Sequence, residues 1–388
     1  MYKLIPRCSV AVGVDIGKEA YHVCVADPTT QVKSWPVHEI DLKRPDWHER
    51  LRRLIPADAL ILHEPTGWAY SLPLRRALSL YGREPEIWLI NHVASAASRR
   101  LYVSRAKNDT LDARAIARIA LDIVNGDDVR GVRRDDPKMQ DAVLSLRLML
   151  NHRRRVTKVS TRLSNQLDAL AHSIWPLLSQ KKATYLRCVA EGAVTPAEIR
   201  AMAEHKPADI VGRSAAALKM ICDEVPDVVV HPQIRASIIT LYAEYQAQMT
   251  KRQALEDTIE GVLLSEFKDI TQRWQTVPGA GALYIAALIV GTNGMYAELT
   301  PEQFKASVGV APNTGRSGSV DKTRRGRAGS VHSKDALHMW TMYLVNDSAP
   351  PNVIRSYYTA GHKLAHCKRK LAEILSGIAR NPRGAWRG

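Results

Sequence analysis

The chain has 388 residues and carries 55 Lys and Arg against 39 Asp and Glu, a formal charge of +16. At 45% hydrophobic and 24% charged it has the composition of a globular protein, and at roughly 100–200 residues per domain it holds two or three domains. The basic surplus favours a polyanionic partner, nucleic acid before a membrane surface. Five scattered cysteines without a CxxC pair argue against a disulfide framework or a zinc knuckle and suit a reducing cytoplasm. No apolar run is long enough to span a bilayer, and Asp15 cuts short the only stretch that would start a signal peptide.

In chain order, residues 9–14 alternate β-branched and small side chains, as a strand does, and residues 21–26 repeat the pattern after a tight turn. "VKSWPVHEI" is a weaker third strand, with Pro36 marking an edge or an early break. A helix follows in "RPDWHERLRRLI", a buried strand in "DALILHE", a helix over 67–81 and a strand in "EIWLIN". The next helix runs from Asp109 to Val124 and is closed by Asn125-Gly126. Three hairpin-connected strands followed by alternating helix and strand specify an α/β domain with a mixed sheet flanked by helices.

The middle of the chain changes period. Val156, Val159, Leu163, Leu167, Leu170 and Ile174 are spaced by threes and fours, as are Ile234, Ile238, Leu241, Tyr245, Leu255, Ile259 and Val262. These are two long amphipathic helices, over 143–175 and 232–266, which would pair antiparallel or form a dimer seam. A short helical stretch lies between them, opened by the capping box "TPAE" at 195–198. From Trp274 onward, "VPGAGALYIAALI" places a Pro-Gly-x-Gly turn before an apolar helix, in the manner of a helix-hairpin-helix whose turn amides hold a phosphate. Residues 307–330 read as a loop rich in Gly, Ser and Arg, and a basic helix closes the chain. The division is therefore 1–130, 131–270 and 271–388.

Four acids stand out. Asp15 ends the first strand, Glu64 ends "ALILHE", and Asp109 and Asp112 share one helix face by their i, i+3 spacing. Taken singly, Asp15 serves a turn, Asp109 caps a helix and Asp112 pairs with an arginine. Glu64 resists such a reading, because it follows four apolar residues and precedes Pro65, where a buried acid needs a reason. Taken together, two strand ends and one helix would gather four oxygen donors suited to Mg2+. Two such ions about 3.5–4 Å apart would stabilise the attacking and leaving oxygens of a phosphodiester.

The stretches "GVDIGK", "HEPTG" and "AKNDTLDARAIA", followed far downstream by "GVAPNTGRSG", resemble the insertion sequence 110 family of transposases, the DEDD transposases related to Piv-type DNA invertases. The resemblance covers most of the chain. It implies a RuvC-like, RNase H-type first domain in which Asp15, Glu64, Asp109 and Asp112 bind Mg2+, a coiled-coil middle, and a mainly α carboxy-terminal transposase domain. It implies a nucleophilic serine at Ser317, five residues after Pro312, and recombination through a phosphoserine intermediate. It further implies a structured bridge RNA that chooses donor and target double-stranded DNA, and a homo-oligomer that shares its sites. Asn108 stands where the family often has Thr, and "GRAGSVHSKDALH" replaces the usual Gly-Asn-containing continuation.

A serine hydroxyl needs activation near neutral pH, and no His or Asp adjoins Ser317 in sequence, so the metal cluster is the expected helper. Ser319 and Ser330 are competitors for the same role, and a flexible polar linker is the bland alternative. Arg316, Lys322, Arg324, Arg325 and Arg327 crowd this region and would grip phosphate. Arg153, Arg154, Arg155, Lys158 and Arg162 form a second cluster that would track a nucleic-acid backbone, giving affinity with little base readout. Such a division of labour fits sequence choice by RNA pairing. The rival readings are a RuvC-like nuclease or junction resolvase without a serine intermediate, an actin-like ATPase suggested by "VDIG", and a non-catalytic scaffold. The ATPase would need a second phosphate loop and an adenosine motif, and the sequence holds neither.

Overall fold

The computed structural model describes residues 8–64, 68–80, 86–90, 92–103, 108–127, 129, 132–135, 137–205, 215–317, 320–325 and 329–386. The chain divides into two compact units, residues 1–140 and 141–388.

The first unit is built on a six-stranded mixed sheet. β1 (Val10–Ile16), β2 (Ala20–Val25) and β3 (Val37–Asp41) run antiparallel in sequence. α1 (Trp47–Leu54) leads to β4 (Ala59–His63), which pairs parallel to β1, and α2 (Trp68–Ser79) leads to β5 (Glu86–Ile90), parallel to β4. α3 (His92–Ser98) continues into a π-helical turn, Arg99–Val103, before α4 (Asp109–Val124). β6 (Val132–Arg134) then adds antiparallel to β5, giving the order β3-β2-β1-β4-β5-β6. The strand elements expected from the sequence are present. α3, the π turn and β6 are additions, because a short Ala- and Ser-rich segment and a basic three-residue strand carry no clear hydrophobic period.

Strand alternation sends successive side chains to opposite faces. Val12, Val14, Tyr21, Val23 and Ile61 pack with Leu51 of α1, Ile55 just after it and Leu74 of α2. Ala11, Cys24, Leu60, Leu62 and Ile90 pack with Ala113, Ile116, Ala117 and Ala120 of α4. Gly13 lies on the α4 side, and a Cβ there would stand 2.2 Å from the Ala117 backbone nitrogen and 2.5 Å from the Ala113 oxygen. The missing side chain and the alanines let α4 lie directly on β1. Asp15, two residues beyond Gly13, faces the same way, towards the start of that helix.

The second unit is mostly helical: α5 (Pro137–Ile174, which begins just before the boundary), α6 (Pro176–Gln180), α7 (Lys182–Ala190), α8 (Pro196–His205), α9 (Ala215–Glu224) and α10 (Pro232–Glu266). The short helical stretch expected between the long helices is thus four helices. Leu167 and Ala171 of α5 share a core with Tyr185, Ile199, Ile221 and Ile238. Further along, the Arg153 side chain donates to Glu256 at 2.7 Å, so α5 and α10 run side by side in opposite directions. The box at 195–198 forms as expected: Thr195 N donates to Glu198 Oε2 at 2.9 Å, and Glu198 N donates to Thr195 Oγ1 at 3.2 Å.

α11 (Lys268–Gln275), α12 (Ala282–Gly291) and α13 (Pro301–Ser307) come next, then a two-stranded hairpin of β7 (Pro312–Ser317) and β8 (Val320–Arg325), then α14 (Val331–Val345), α15 (Val353–Thr359) and α16 (Leu364–Arg380). Trp274 Nε1 donates to Leu375 O at 3.0 Å and Trp340 Nε1 to Pro278 O at 2.8 Å, so both buried indoles find acceptors. The turn between α11 and α12 holds Gly279 at φ +76°, in the left-handed region that glycine tolerates. The segment read as a loop over 307–330 is corrected by the hairpin at its centre. Its alternation is polar, and two residues separate Ser317 from Val320, the commonest hairpin loop length.

Candidate metal centre

The sheet edge at the end of β1 receives its acids from three elements. Asp15 stands opposite His22 in the β1–β2 ladder. Burial, followed by the charges of Asp109, Asp112 and Glu64, raises its carboxyl to about 6, with His22 pulling the other way. The charges of all three other acids reach Asp15 from 49 to 97 positions away in sequence, but among the described residues the group of ligand atoms within 4.8 Å of one another holds Asp109 and His22 beside Asp15, without Glu64 or Asp112.

Each acid is held by its own element. Glu64 follows the last residue of β4 and accepts a hydrogen bond from the Ser95 hydroxyl of α3. Asp109 and Asp112 occupy the first turn of α4, where negative charge is favoured by the helix dipole. Asn108 caps that helix by accepting from Leu111 N at 2.8 Å, so the Asn in place of the usual Thr still performs the cap. Asp112 pairs with Arg99 of the π turn, and both side chains are largely buried. Asp109 stays exposed, with His22 Nδ1 3.9 Å from its Oδ2.

His22, Ser95 and Arg99 were not among the residues the sequence singles out. His22 was discoverable: counting back across the turn from Asp15 places it opposite. Ser95 and Arg99 come from α3 and the π turn, which left no signal.

These residues fit a divalent cation. Ligand atoms of Asp15, His22 and Asp109 lie within 4.8 Å of one another. His22 Nδ1 is buried and has no hydrogen-bond partner among the described residues. Burial first and then the neighbouring acids hold the Asp15 carboxyl up, and a bound cation would relieve the repulsion among those charges.

The basic candidates fall into two groups. On α5, Arg153 is engaged by Glu256, and Arg154 lies 3.9 Å from Asp335. Arg155, Lys158 and Arg162 are exposed and have no ion pair among the described residues, and no acid occurs between Asp141 and Asp168. On the hairpin, Ser317 pairs with Val320, Arg316 with Asp321, Gly315 with Lys322, Asn313 with Arg324 and Pro312 with Arg325. The backbone of β7 and β8 is described, but the side chains of Arg316, Ser317, Lys322, Arg324 and Arg325, and the whole of Arg327 and Ser319, lie outside the described residues.

A sheet edge of clustered acids on a basic chain is the arrangement of a DNA-processing enzyme, and the family comparisons specify which. Residues 12–176 match the DEDD model of the IS110 transposases, described as transposase, and residues 271–359 match the model described as transposase IS116/IS110/IS902 family. The chain belongs to the IS110 family of transposases, enzymes that cut and rejoin DNA. No curated protein matches it. No helix among the described residues is long and apolar enough to cross a membrane.

Proposed function

We propose that this transposase moves an insertion sequence by cutting and rejoining DNA through a phosphoserine intermediate on Ser317, with Asp15, Glu64, Asp109 and Asp112 as its metal-binding tetrad. The observation that carries the metal site is the gathering of Asp15, His22 and Asp109 ligand atoms within 4.8 Å of one another, with Glu64 and Asp112 adding their charge at Asp15. The strand order and the parallel β1–β4–β5 core support a RuvC-like, RNase H-type domain. Mg2+, two ions in each site, would supply Lewis-acid stabilisation of phosphate oxygens when bound. The carboxylates would hold it there, while Ser95 and Arg99 orient Glu64 and Asp112.

In the covalent step the Ser317 oxygen forms a bond to the scissile phosphorus, and the bond from phosphorus to the departing sugar oxygen breaks. The serine gives up its proton, and the departing oxygen gains one. A second strand's hydroxyl then reverses the exchange. One phosphodiester is consumed and one formed, so no nucleotide hydrolysis is required.

In this reading the chain has three parts, 1–130, 131–270 and 271–388, with α5 and α10 forming the coiled-coil middle. The turn between α11 and α12 acts as a helix-hairpin-helix against phosphate. Arg154, Arg155, Lys158 and Arg162, with Arg316, Lys322, Arg324, Arg325 and Arg327, hold nucleic-acid backbone. Arg153 acts with them only as far as its ion pair with Glu256 allows. A bridge RNA selects donor and target DNA, and a homo-oligomer assembles the sites. The enzyme works in the cytoplasm. The decisive test is denaturing electrophoresis of the chain with labelled donor DNA and Mg2+. A protein–DNA adduct should form with wild type and disappear in Ser317→Ala. Cleavage without any adduct would instead establish a metal-dependent nuclease.

A further inference from the structure

We propose that His22 is a nitrogen ligand of the metal centre and gives it a preference for Mn2+ over Mg2+, an inference that rests on the tetrad reading above. Asp15 is opposite His22, and His22 is opposite Glu39, so the three form one row across β1, β2 and β3 on one face of the sheet. The imidazole lies between acids on both sides. Its Nε2 is 3.9 Å from Glu39 Oε2, and its Nδ1 is 3.9 Å from Asp109 Oδ2.

The two nitrogens have different surroundings. Glu39 is solvent-exposed and offers an acceptor on the outer side, which favours the proton on Nε2. Nδ1 is buried, has no hydrogen-bond partner among the described residues, and lies among the ligand atoms of Asp15 and Asp109. With the proton on Nε2, an unprotonated Nδ1 beside two carboxylates would be repelled by them. A cation among the three groups converts that repulsion into attraction. Metal-bound histidines characteristically give their other ring proton to a carboxylate, and Glu39 stands on that side of the ring, 3.9 Å from Nε2 and so in reach after a small side-chain adjustment.

The consequence is selectivity. A site of carboxylates and water suits Mg2+, whereas an imidazole nitrogen adds affinity for transition metals and little for Mg2+. His22 would bias the centre towards Mn2+ without excluding Mg2+.

The test uses the full chain with Mn2+ as the probe. Electron spin-echo envelope modulation of the bound ion should show coupling to a histidine nitrogen in wild type. The coupling should be lost in His22→Ala and in His22→Gln. Calorimetry should show Mn2+ affinity falling about tenfold in both variants, with Mg2+ affinity nearly unchanged, so that the Mn2+/Mg2+ ratio narrows. Thermal melts check that each variant folds, and the wild-type spectrum needs no variant. Mn2+ bound without nitrogen coupling, or with coupling that survives both substitutions, overturns the role of His22 while leaving the tetrad intact. Failure of wild type to bind either ion overturns the tetrad and this inference together.

Discussion

Helix α4 lies against β1 over Ala113, Ala117 and the bare backbone of Gly13, whereas between residues 151 and 166 of α5 only Val156, Ser160 and Leu163 are buried. One helix is pressed onto a sheet so closely that a methyl group does not fit. The other presents a cationic stripe to solvent. The difference suits the tasks proposed for the two helices. Acids that must share cations need fixed geometry, which small residues and a full core provide. A helix that holds a phosphate backbone needs charge and reach, and loses little if its contacts shift by an ångström.

Substitutions of the acids beside α4 should have the largest effects. Asp15→Asn or Glu64→Gln should lower DNA cleavage by about three orders of magnitude, since a metal's charge stabilisation is worth several kcal/mol and each 1.36 kcal/mol is tenfold. Filter binding of the same variants to DNA should change little. Equal losses of binding and cleavage would show that these acids support the fold rather than the chemistry.

On the side of α5, replacing Arg155, Lys158 and Arg162 together by Ala should weaken nucleic-acid binding by about two orders of magnitude and lower the salt-dependence slope by up to about 3. Arg153→Ala should act differently. Its partner is Glu256, so stability should fall with little change in that slope.

Gly13→Ala tests the close packing of α4 on β1. Its Cβ would meet backbone, which cannot swing aside, so unfolding free energy should fall by about 1–3 kcal/mol. Metal affinity should fall with it, because displacing α4 moves Asp109 and Asp112 away from Asp15. A denaturant titration and a Mn2+ titration on the same sample check both.

The smallest effect is in pH. The Asp15 carboxyl titrates near 6 in the folded chain, above its ordinary range near 4. Between those values the unfolded chain gives up the proton first. Its stabilising contribution is therefore complete below about pH 4, is lost as pH rises, and is gone above about pH 6. Because the group is partly open to solvent, a fall of only about 2–4 °C in melting temperature is expected across this window. Asp15→Asn should lack that slope, and saturating Mg2+ should reverse it in wild type.

Much of this was legible in the sequence. The strands and long helices announce themselves by period, and the four acids proposed as metal ligands stand out by their positions at strand ends and on one helix face. What was missed had physical causes. Ser95 and Arg99 sit on α3 and a π turn, a segment too short and too small in its side chains to show a period. The hairpin of β7 and β8 alternates polar with polar, so its period is invisible to hydropathy. His22 could have been found by counting back across the β1–β2 turn from Asp15, but no local pattern in the sequence draws attention to that register.

The claim beneath all of this is that acids from β1, β4 and α4 share bound cations. Calorimetric titration of Mn2+ into the wild-type chain and into Asp15→Asn tests it without DNA, RNA or a partner. The account predicts saturable binding in wild type and at least about tenfold weaker binding in the variant. No binding in wild type, or equal binding in both, would contradict it.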